Sequence, residues 1–509
     1  MKTAADILVT LLCLGAGVFA WLRWLRVIQR EHYLAGSTTR FAWRWWRSRW
    51  INVVLILAGI VGAAVAWWTP WIGIATAIAV GSGPVGLSVK GRTSPLNWTR
   101  RVTTLALLSA GVTVLVAGVG LLCGVGAAVS ALAILLLPLT LDACCVIVAP
   151  FEERAAQGFV TQASERLHRV RPVVVGITGS YGKTSTKNHL ATLLNGRFNT
   201  VASPRSYNNR AGLARAVNEQ LSDNADVFIA EMGTYGPGEI RDLVGWCPPR
   251  IAVMTAIGPV HLERFGSLEV TLAAKSEITE AAETVVINDD DKRLKNAGAG
   301  FAQTKRLVRA SAERSDADVA VLDEGEQWSI VIDGTMIGTV PSVAGVQRSN
   351  VACAIGVAVV LGLSHEEIVT HAAQIRPVEN RLTVGTAASG IQVIDDTFNA
   401  NPAGAKAALE LLERTGSDGR RVVVTPGMIE LGSEQFSANQ EFAAHAAKVA
   451  NDLIIVGRTN ARALAEGAHQ GTASVVSVGT RSDAVEWVRA HLKARDTVLY
   501  ENDFPDHYP

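Results

Sequence analysis

Charge is scarce in the first third of this 509-residue chain, and acid scarcer still: Asp6, Glu31 and Asp142 are the acidic residues before position 150. A water-soluble domain of that length needs a charged surface of both signs, and this stretch has too few charges to make one. Cysteine is equally uninformative as a framework. Cys13, Cys123, Cys144 and Cys145 fall in apolar runs, and Cys247 and Cys353 lie far apart. No CxxC or Cys/His spacing is present, which excludes a zinc module and a disulfide scaffold. There is no solenoid repeat and no low-complexity tract. A cleaved leader is not expected, because the basic flank follows the first apolar run and no small-residue cleavage site stands out.

What the first 150 residues do contain is long apolar runs, at 6–22, 51–69, 71–89, 102–122 and 126–148. Each approaches the ~20 residues that cross a bilayer as a helix. They predict a membrane domain of about five spans over 1–150, the last two nearly continuous, so that a long or re-entrant element is the alternative. Residues 23–50 hold seven Arg and one Glu, and Lys90, Arg92, Arg100 and Arg101 mark a second basic loop. Basic loops face the cytoplasm. The N-terminus is therefore expected outside, and everything after 150 inside, as a multi-pass protein of the plasma membrane. Trp21, Trp24, Trp43, Trp45, Trp46 and Trp50 interleave with the arginines. That mixture reads as an interfacial anchor or as a seat for an anionic lipid headgroup; nucleic acid is not an expected partner. Residues 151–170 read as a charged amphipathic linker.

From 171 the pattern alternates strand and helix. Apolar runs at 173–177, 226–230, 251–256 and 284–287 predict an α/β domain with a mostly parallel sheet over 171–380. An antiparallel patch is expected within 305–345 and a helix over 349–362. A second, Rossmann-like α/β domain is expected over 381–509. Its strands are placed at 391–395, 421–425, 452–457, 473–477 and 496–500, and a hinge lies near 376–385. Between the first strand and a helix carrying Leu190, Leu193 and Leu194 sits TGSYGKTS. Strand, glycine loop, Lys-Thr and helix form a phosphate cradle: loop amides and the helix N-terminus meet the anion, Lys183 supplies a cation, and the Thr184 hydroxyl can ligate Mg²⁺. Gly179, Ser180, Gly182 and Ser185 complete the loop. Ile177 stands where the longer P-loop form has its first glycine.

The motifs GITGSYGKTSTK, SYNNRAG, EMGTYGPGEI, AIGPVHLERFGSLEVTLAAKSEI, SNVACAIGVAVVLGL, RPVENRL, IDDTFNANPAGAKAAL and GMIELG follow one another over 176–432. In that order they resemble the Mur ligase family, most of all its branch that joins D-alanyl-D-alanine to UDP-MurNAc-tripeptide. The resemblance implies an ADP-forming amide ligase working through an acyl phosphate. It implies ATP and Mg²⁺, two ions in the family, with Thr184 and Glu231 on one and His261 with a CO₂-carbamylated Lys275 on the other. It implies Asn209 near the γ-phosphate, Asn350 at adenine, and Arg381 and Asp396 reaching ATP from the hinge and second domain. Asn399 and Asn401 read equally as turn formers before Pro402.

Two features depart from the family. The membrane segment stands where a UDP-sugar-binding domain is usual, which points to a lipid-linked or other envelope precursor as the carboxylate acceptor, with an amino acid or dipeptide as amine. The terminal YENDFPDHYP has no family role; Asp503, Asp506 and His507 either line the cleft or form a tail. A poly-γ-glutamate synthetase-like ligase and a non-catalytic membrane scaffold are the alternatives. The scaffold has no need of Lys183, Thr184, Glu231, His261 and Lys275. An ATP-driven transporter is a further one, but only Asp6 and Asp142 are acidic in or beside the spans.

Overall fold

The computed structural model describes the chain apart from residues 1, 92, 94, 205, 379–381, 398–400, 416–418, 506 and 509, and the side chain of residue 2. Arg381, Asn399 and Asp506 thus lie outside the described residues, as does Arg92 of the second basic loop. The chain divides into two compact units: residues 1–155 with 504–509, and residues 156–503.

The first unit is helical. Among its described residues, Lys2–Arg30 and Arg100–Leu122 are long and apolar enough to cross a bilayer. Two further pairs qualify only as bent spans: Ser37–Arg47 with Trp50–Val65 at 115°, and Gly126–Leu135 with Leu137–Val170 at 70°. The expected five spans are therefore two, or four if each bent pair counts as one. The region 71–89 yields only Gly73–Ser82, ten residues or roughly 15 Å, about half a hydrocarbon core. Pro84, just beyond it, cannot continue a helix. The first bend comes at Arg49, whose backbone is extended. Nearly all the large apolar side chains exposed among the described residues lie before position 160; Val270, Met336, Val384, Phe436 and Val475 are those beyond it. A surface so apolar is out of place in water.

The buried charges of this unit close helix ends. Asp6 accepts from the amides of Gly126 (2.9 Å) and Ala127 (2.8 Å), the first residues of their helix. Asp142 accepts from the amides of Thr38 (3.1 Å) and Thr39 (2.9 Å) and from the Thr39 hydroxyl (2.6 Å). Arg23 donates to the carbonyls of Gly81 (2.9 Å) and Gly83 (2.8 Å) at a helix C-terminus. Carboxylates at N-termini and a guanidinium at a C-terminus satisfy backbone groups that the helices leave unpaired. Neither acid is left over for a charge pathway. His507, expected in the cleft or a free tail, belongs to this unit. It is 1% exposed, its Nε2 is 3.0 Å from Glu31 Oε1, and its carbonyl accepts from Trp45 Nε1 at 2.7 Å. Phe41 packs on both His507 and Tyr508.

The second unit carries two sheets. The first has strands β1 (Val173–Thr178), β2 (Thr200–Ala202), β3 (Val227–Glu231), β4 (Ile251–Met254), β5 (Thr284–Asn288), β6 (Arg306–Ser311), β7 (Val319–Asp323), β8 (Gln327–Ile332) and β9 (Thr335–Pro341), in the order β2-β3-β1-β4-β5-β6-β7-β8-β9. Pairing is parallel as far as β7 and antiparallel from β7 to β9, which is the antiparallel patch expected in 305–345. The glycine loop follows β1, which lies between β3 and β4, where connections diverge to either side. Leu190, Leu193 and Leu194 are fully buried beneath the sheet beside Ile177 and Ile355. The second sheet has β10 (Thr383–Thr386), β11 (Gln392–Asp396), β12 (Arg421–Thr425), β13 (Asp452–Val456), β14 (Ser474–Val478) and β15 (Thr497–Glu501), in the order β10-β11-β15-β12-β13-β14. All pairs are parallel except β10 with β11.

Residues 151–170, expected as a charged amphipathic linker, continue the helix Leu137–Val170. From Val160 on it packs on the first sheet's layer. Val160, Ala163 and Leu167, spaced to share one helix face, are buried with Leu213 and Val217, and Arg166 donates to the Leu221 carbonyl at 2.5 Å.

Candidate active site

The glycine loop is held by its neighbours before any ligand arrives. Ser180 N–H donates to the Ala256 carbonyl at 2.8 Å. Ser180 Oγ and the backbone of Gly258 lie within 3.0 Å in both directions. Two glycines are sterically required. A Cβ on Gly179 would stand 2.0 Å from Thr255 Oγ1, and one on Gly182, at φ +84°, would stand 2.4 Å from Asn350 Oδ1. Gly182 is the N-cap of the helix Lys183–Leu194, so the loop ends on unpaired amides and the positive end of a helix dipole. Lys183 folds back over the loop, its Nζ 2.6 Å from the Gly179 carbonyl.

Glu231, the last residue of β3, is the centre of the cluster. The Thr184 hydroxyl lies 3.1 Å from both its carboxylate oxygens. Lys187 Nζ is 3.0 Å from Oε2, a pair buried on both sides at 3% and 4% exposure. Asn208 Nδ2 reaches Oε1 at 3.5 Å, and Ser203 Oγ accepts from the Glu231 amide at 3.1 Å. Burial opposes the charge, but Lys187 and Lys183 outweigh it and hold the carboxyl below its ordinary range. Lys187, Asn208 and Ser203 were not among the expected site residues. Lys187 was findable: it sits four residues after Lys183, on the same helix face. Asn208 and Ser203 carry no such signal.

Lys275 lies within reach of the charge of Lys183. It is 3% exposed; burial first, and then the charge of Lys183, push its ammonium well below the usual lysine range. His261 takes a left-handed φ of +58°. Its Nδ1 contacts Glu430 Oε2 of the second α/β domain, the Leu262 amide donates to the Glu430 carbonyl at 2.8 Å, and the Tyr235 ring meets the imidazole edge-on. Among the described residues no three His, Cys, Asp or Glu side chains gather as a metal group. The Glu231 carboxylate and the Thr184 hydroxyl lie together beside the loop. Asn209, expected near the γ-phosphate, begins the next helix. Its side chain accepts from the Gly212 amide at 2.9 Å and caps the helix Arg210–Gln220; its neighbour Asn208 faces the site.

A cleft separates the two α/β domains, lined by Gly182, Ser185 and Asn350 on one side and by Asp396, Asn401 and Leu382 on the other. The expected nucleotide residues Ser185, Asn350 and Asp396 therefore share one wall-to-wall space. His189 also lines it, and burial lowers its imidazole to about 4, so the ring is neutral. Asp503 pairs with Arg481.

Comparison with known proteins agrees with this geometry. The Mur ligase middle domain matches residues 177–358, and the Mur ligase glutamate ligase domain matches 380–500. The UDP-N-acetylmuramoyl-tripeptide–D-alanyl-D-alanine ligase of Mycobacterium leprae is 32% identical over 364 residues, 64% of this chain and 70% of that protein. The Bacillus subtilis ligase of the same name is 27% identical over 335 residues, 64% of this chain and 72% of that protein. Among solved structures, MurF from Thermotoga maritima in complex with ADP has a TM-score of 0.60 at 24% identity, over 68% of this chain and 80% of that one. Escherichia coli FolC in complex with DHPP and ADP has a TM-score of 0.52 at 19% identity, over 69% of this chain and 91% of that one. At those identities the likeness is one of fold. The chain belongs to the Mur ligase family, whose members are ATP-dependent amide ligases.

Proposed function

We propose that this protein is a membrane-anchored, ADP-forming ligase of cell-envelope synthesis that joins the amine of an amino acid or dipeptide to a carboxylate acceptor, in the manner of the ligases named above. The observation that carries the reading is the buried Glu231, bonded to Thr184 and Lys187 at the foot of the glycine loop. A carboxylate cannot acylate an amine at neutral pH without a leaving group. Phosphorylation by ATP supplies one: the acyl C–O⁻ attacks the γ-phosphorus, ADP leaves, and the amine then displaces phosphate. Negative charge gathers on phosphoryl oxygens in both steps, and fixed donors there lower the barrier.

In this reading the loop amides and Lys183 receive the phosphates, and Ser185 and Asn350 with Asp396 hold the nucleoside end. Thr184 and Glu231 would hold Mg²⁺, which would neutralise phosphate charge when bound. Asn208 holds the Glu231 carboxylate, and Asn209 beside it would lie near the γ-phosphate. Lys275 would serve as a carbamate: its neutral amine adds to CO₂, an N–C bond forms, and one N–H proton leaves to solvent. Lys275→Ala is then expected to lose about 10- to 100-fold in turnover, as for a ligand-supporting group. CO₂-stripped buffer should slow the wild type, and bicarbonate should restore it. A wild type indifferent to CO₂ removes the carbamate from the scheme.

The apolar surface before residue 160 supports anchoring in lipid, with 156–503 on the cytoplasmic side where ATP is. It also supports a lipid-linked acceptor, since neither family domain covers residues 1–176. The same surface keeps a poly-γ-glutamate-like ligase as the second reading. Membranes holding the full chain, given Mg²⁺, ATP, and candidate acceptors with D-alanyl-D-alanine or glutamate, separate the two by product mass. Release of ADP and phosphate is expected. Release of AMP and pyrophosphate would overturn the acyl-phosphate route.

A further inference from the structure

Strands β11 and β15 pair in register, which sets Asp396 and Glu501 side by side at the cleft end of the second sheet. Glu501 is 1% exposed. Both its carboxyl oxygens are buried, and among the described residues no donor reaches either one. Asp396 is better served, since the Leu382 amide donates to its Oδ1 at 3.2 Å.

No cation faces Glu501 from the described elements packed on it. On its own strand Tyr500 points to the opposite face, where Arg481 lies over its ring and is itself held by Asp503. On β11, Asp395 turns away and accepts from Thr397. The next strand, β12, ends in Val424 and Thr425, which are uncharged. The helix Pro402–Thr415 keeps Lys406 and Glu410 on its exposed side, paired with each other, and Glu413 and Arg414 are exposed too. Asp396 is the charged group that acts on Glu501. Two anions in contact inside a protein, one of them without a donor, are prohibitively costly. A single proton between them removes the cost.

We propose that Glu501 is a proton-bearing positioning residue, whose neutral carboxyl donates to Asp396 and holds that carboxylate toward the nucleotide cleft. The role rests on the cleft being the nucleotide site, as argued above. Burial, and then Asp396, raise the Glu501 carboxyl well above the usual range. The folded chain thus keeps a proton that the unfolded chain has released. Stability is therefore lost as pH rises from the ordinary carboxylate range through the raised value.

The test is MgADP binding to the full-length protein across pH, together with the infrared carbonyl band of a protonated carboxyl. Wild type should hold its affinity until Glu501 ionises and then lose up to about tenfold per pH unit. Glu501→Ala should weaken binding about tenfold, the worth of a hydrogen bond to a charged group. Glu501→Gln, whose amide can still donate to Asp396, should recover most of that loss and remove both the alkaline fall and the band. If Glu501→Gln does not fold, the wild-type band and pH profile decide. Absence of the band, or identical pH profiles for wild type and Glu501→Gln, overturns the proposal. Failure of the wild type to bind MgADP at any pH overturns the cleft reading and the positioning role, while the band still decides the shared proton.

Discussion

Lys183→Ala is expected to lower turnover by on the order of 10³-fold, the cost of removing one fixed charge from a phosphoryl-transfer site, with the protein still recovered in the membrane fraction. The side chain begins a helix whose N-cap, Gly182, takes a left-handed φ of +84° beside Asn350. Its ammonium lies against the loop carbonyl of Gly179. No apolar core depends on it, so the loss should fall on chemistry rather than on folding. Steady-state ADP release and a membrane flotation assay read the two halves. Near-normal turnover would remove the glycine loop from the reaction; loss of the protein from membranes would show a folding defect instead.

Lys187→Met is expected to act on stability, by about 3–5 kcal/mol, because it strands a buried carboxylate without its closest cation. The pair is almost wholly buried, so solvent screening does not dilute the effect. Thr184 and Asn208 still donate to Glu231 in the variant, which favours the lower end of the range. The double variant Lys187→Met with Glu231→Gln should recover part of the loss, since it removes the stranded charge. Urea unfolding followed in the second unit measures both. A single variant as stable as wild type would mean that Lys183 alone suffices to neutralise Glu231.

These side chains divide sharply in how far the sequence foretells them. Strands β11 to β15 fall within a residue or so of their expected places, because Val-, Ile- and Leu-rich runs bounded by helices leave little choice. Strand β10 was missed; its TVGT segment is largely exposed and gives no apolar pattern. The helical unit misled by length: 71–89 is apolar throughout, but Gly83-Pro84 stops its helix early. In the site, Lys183, Thr184 and Glu231 are fixed by local motif and strand end. The partner of His261 is not, because Glu430 comes from another domain, 169 positions away. Glu501 was invisible for the same reason: its meaning depends on which strand lies beside it, and β11 is more than a hundred residues earlier.

The C-terminal hexapeptide bears on how the halves of this protein could be separated. The polypeptide crosses from the first unit to the second near residue 156 and crosses back after residue 503. One protease cut near 156 would leave the ligase half still covalently joined to Phe504–Tyr508, whose buried His507 and partly buried Tyr508 pack on Phe41. Shedding of an active fragment therefore takes two scissions, or one scission and the withdrawal of an aromatic plug.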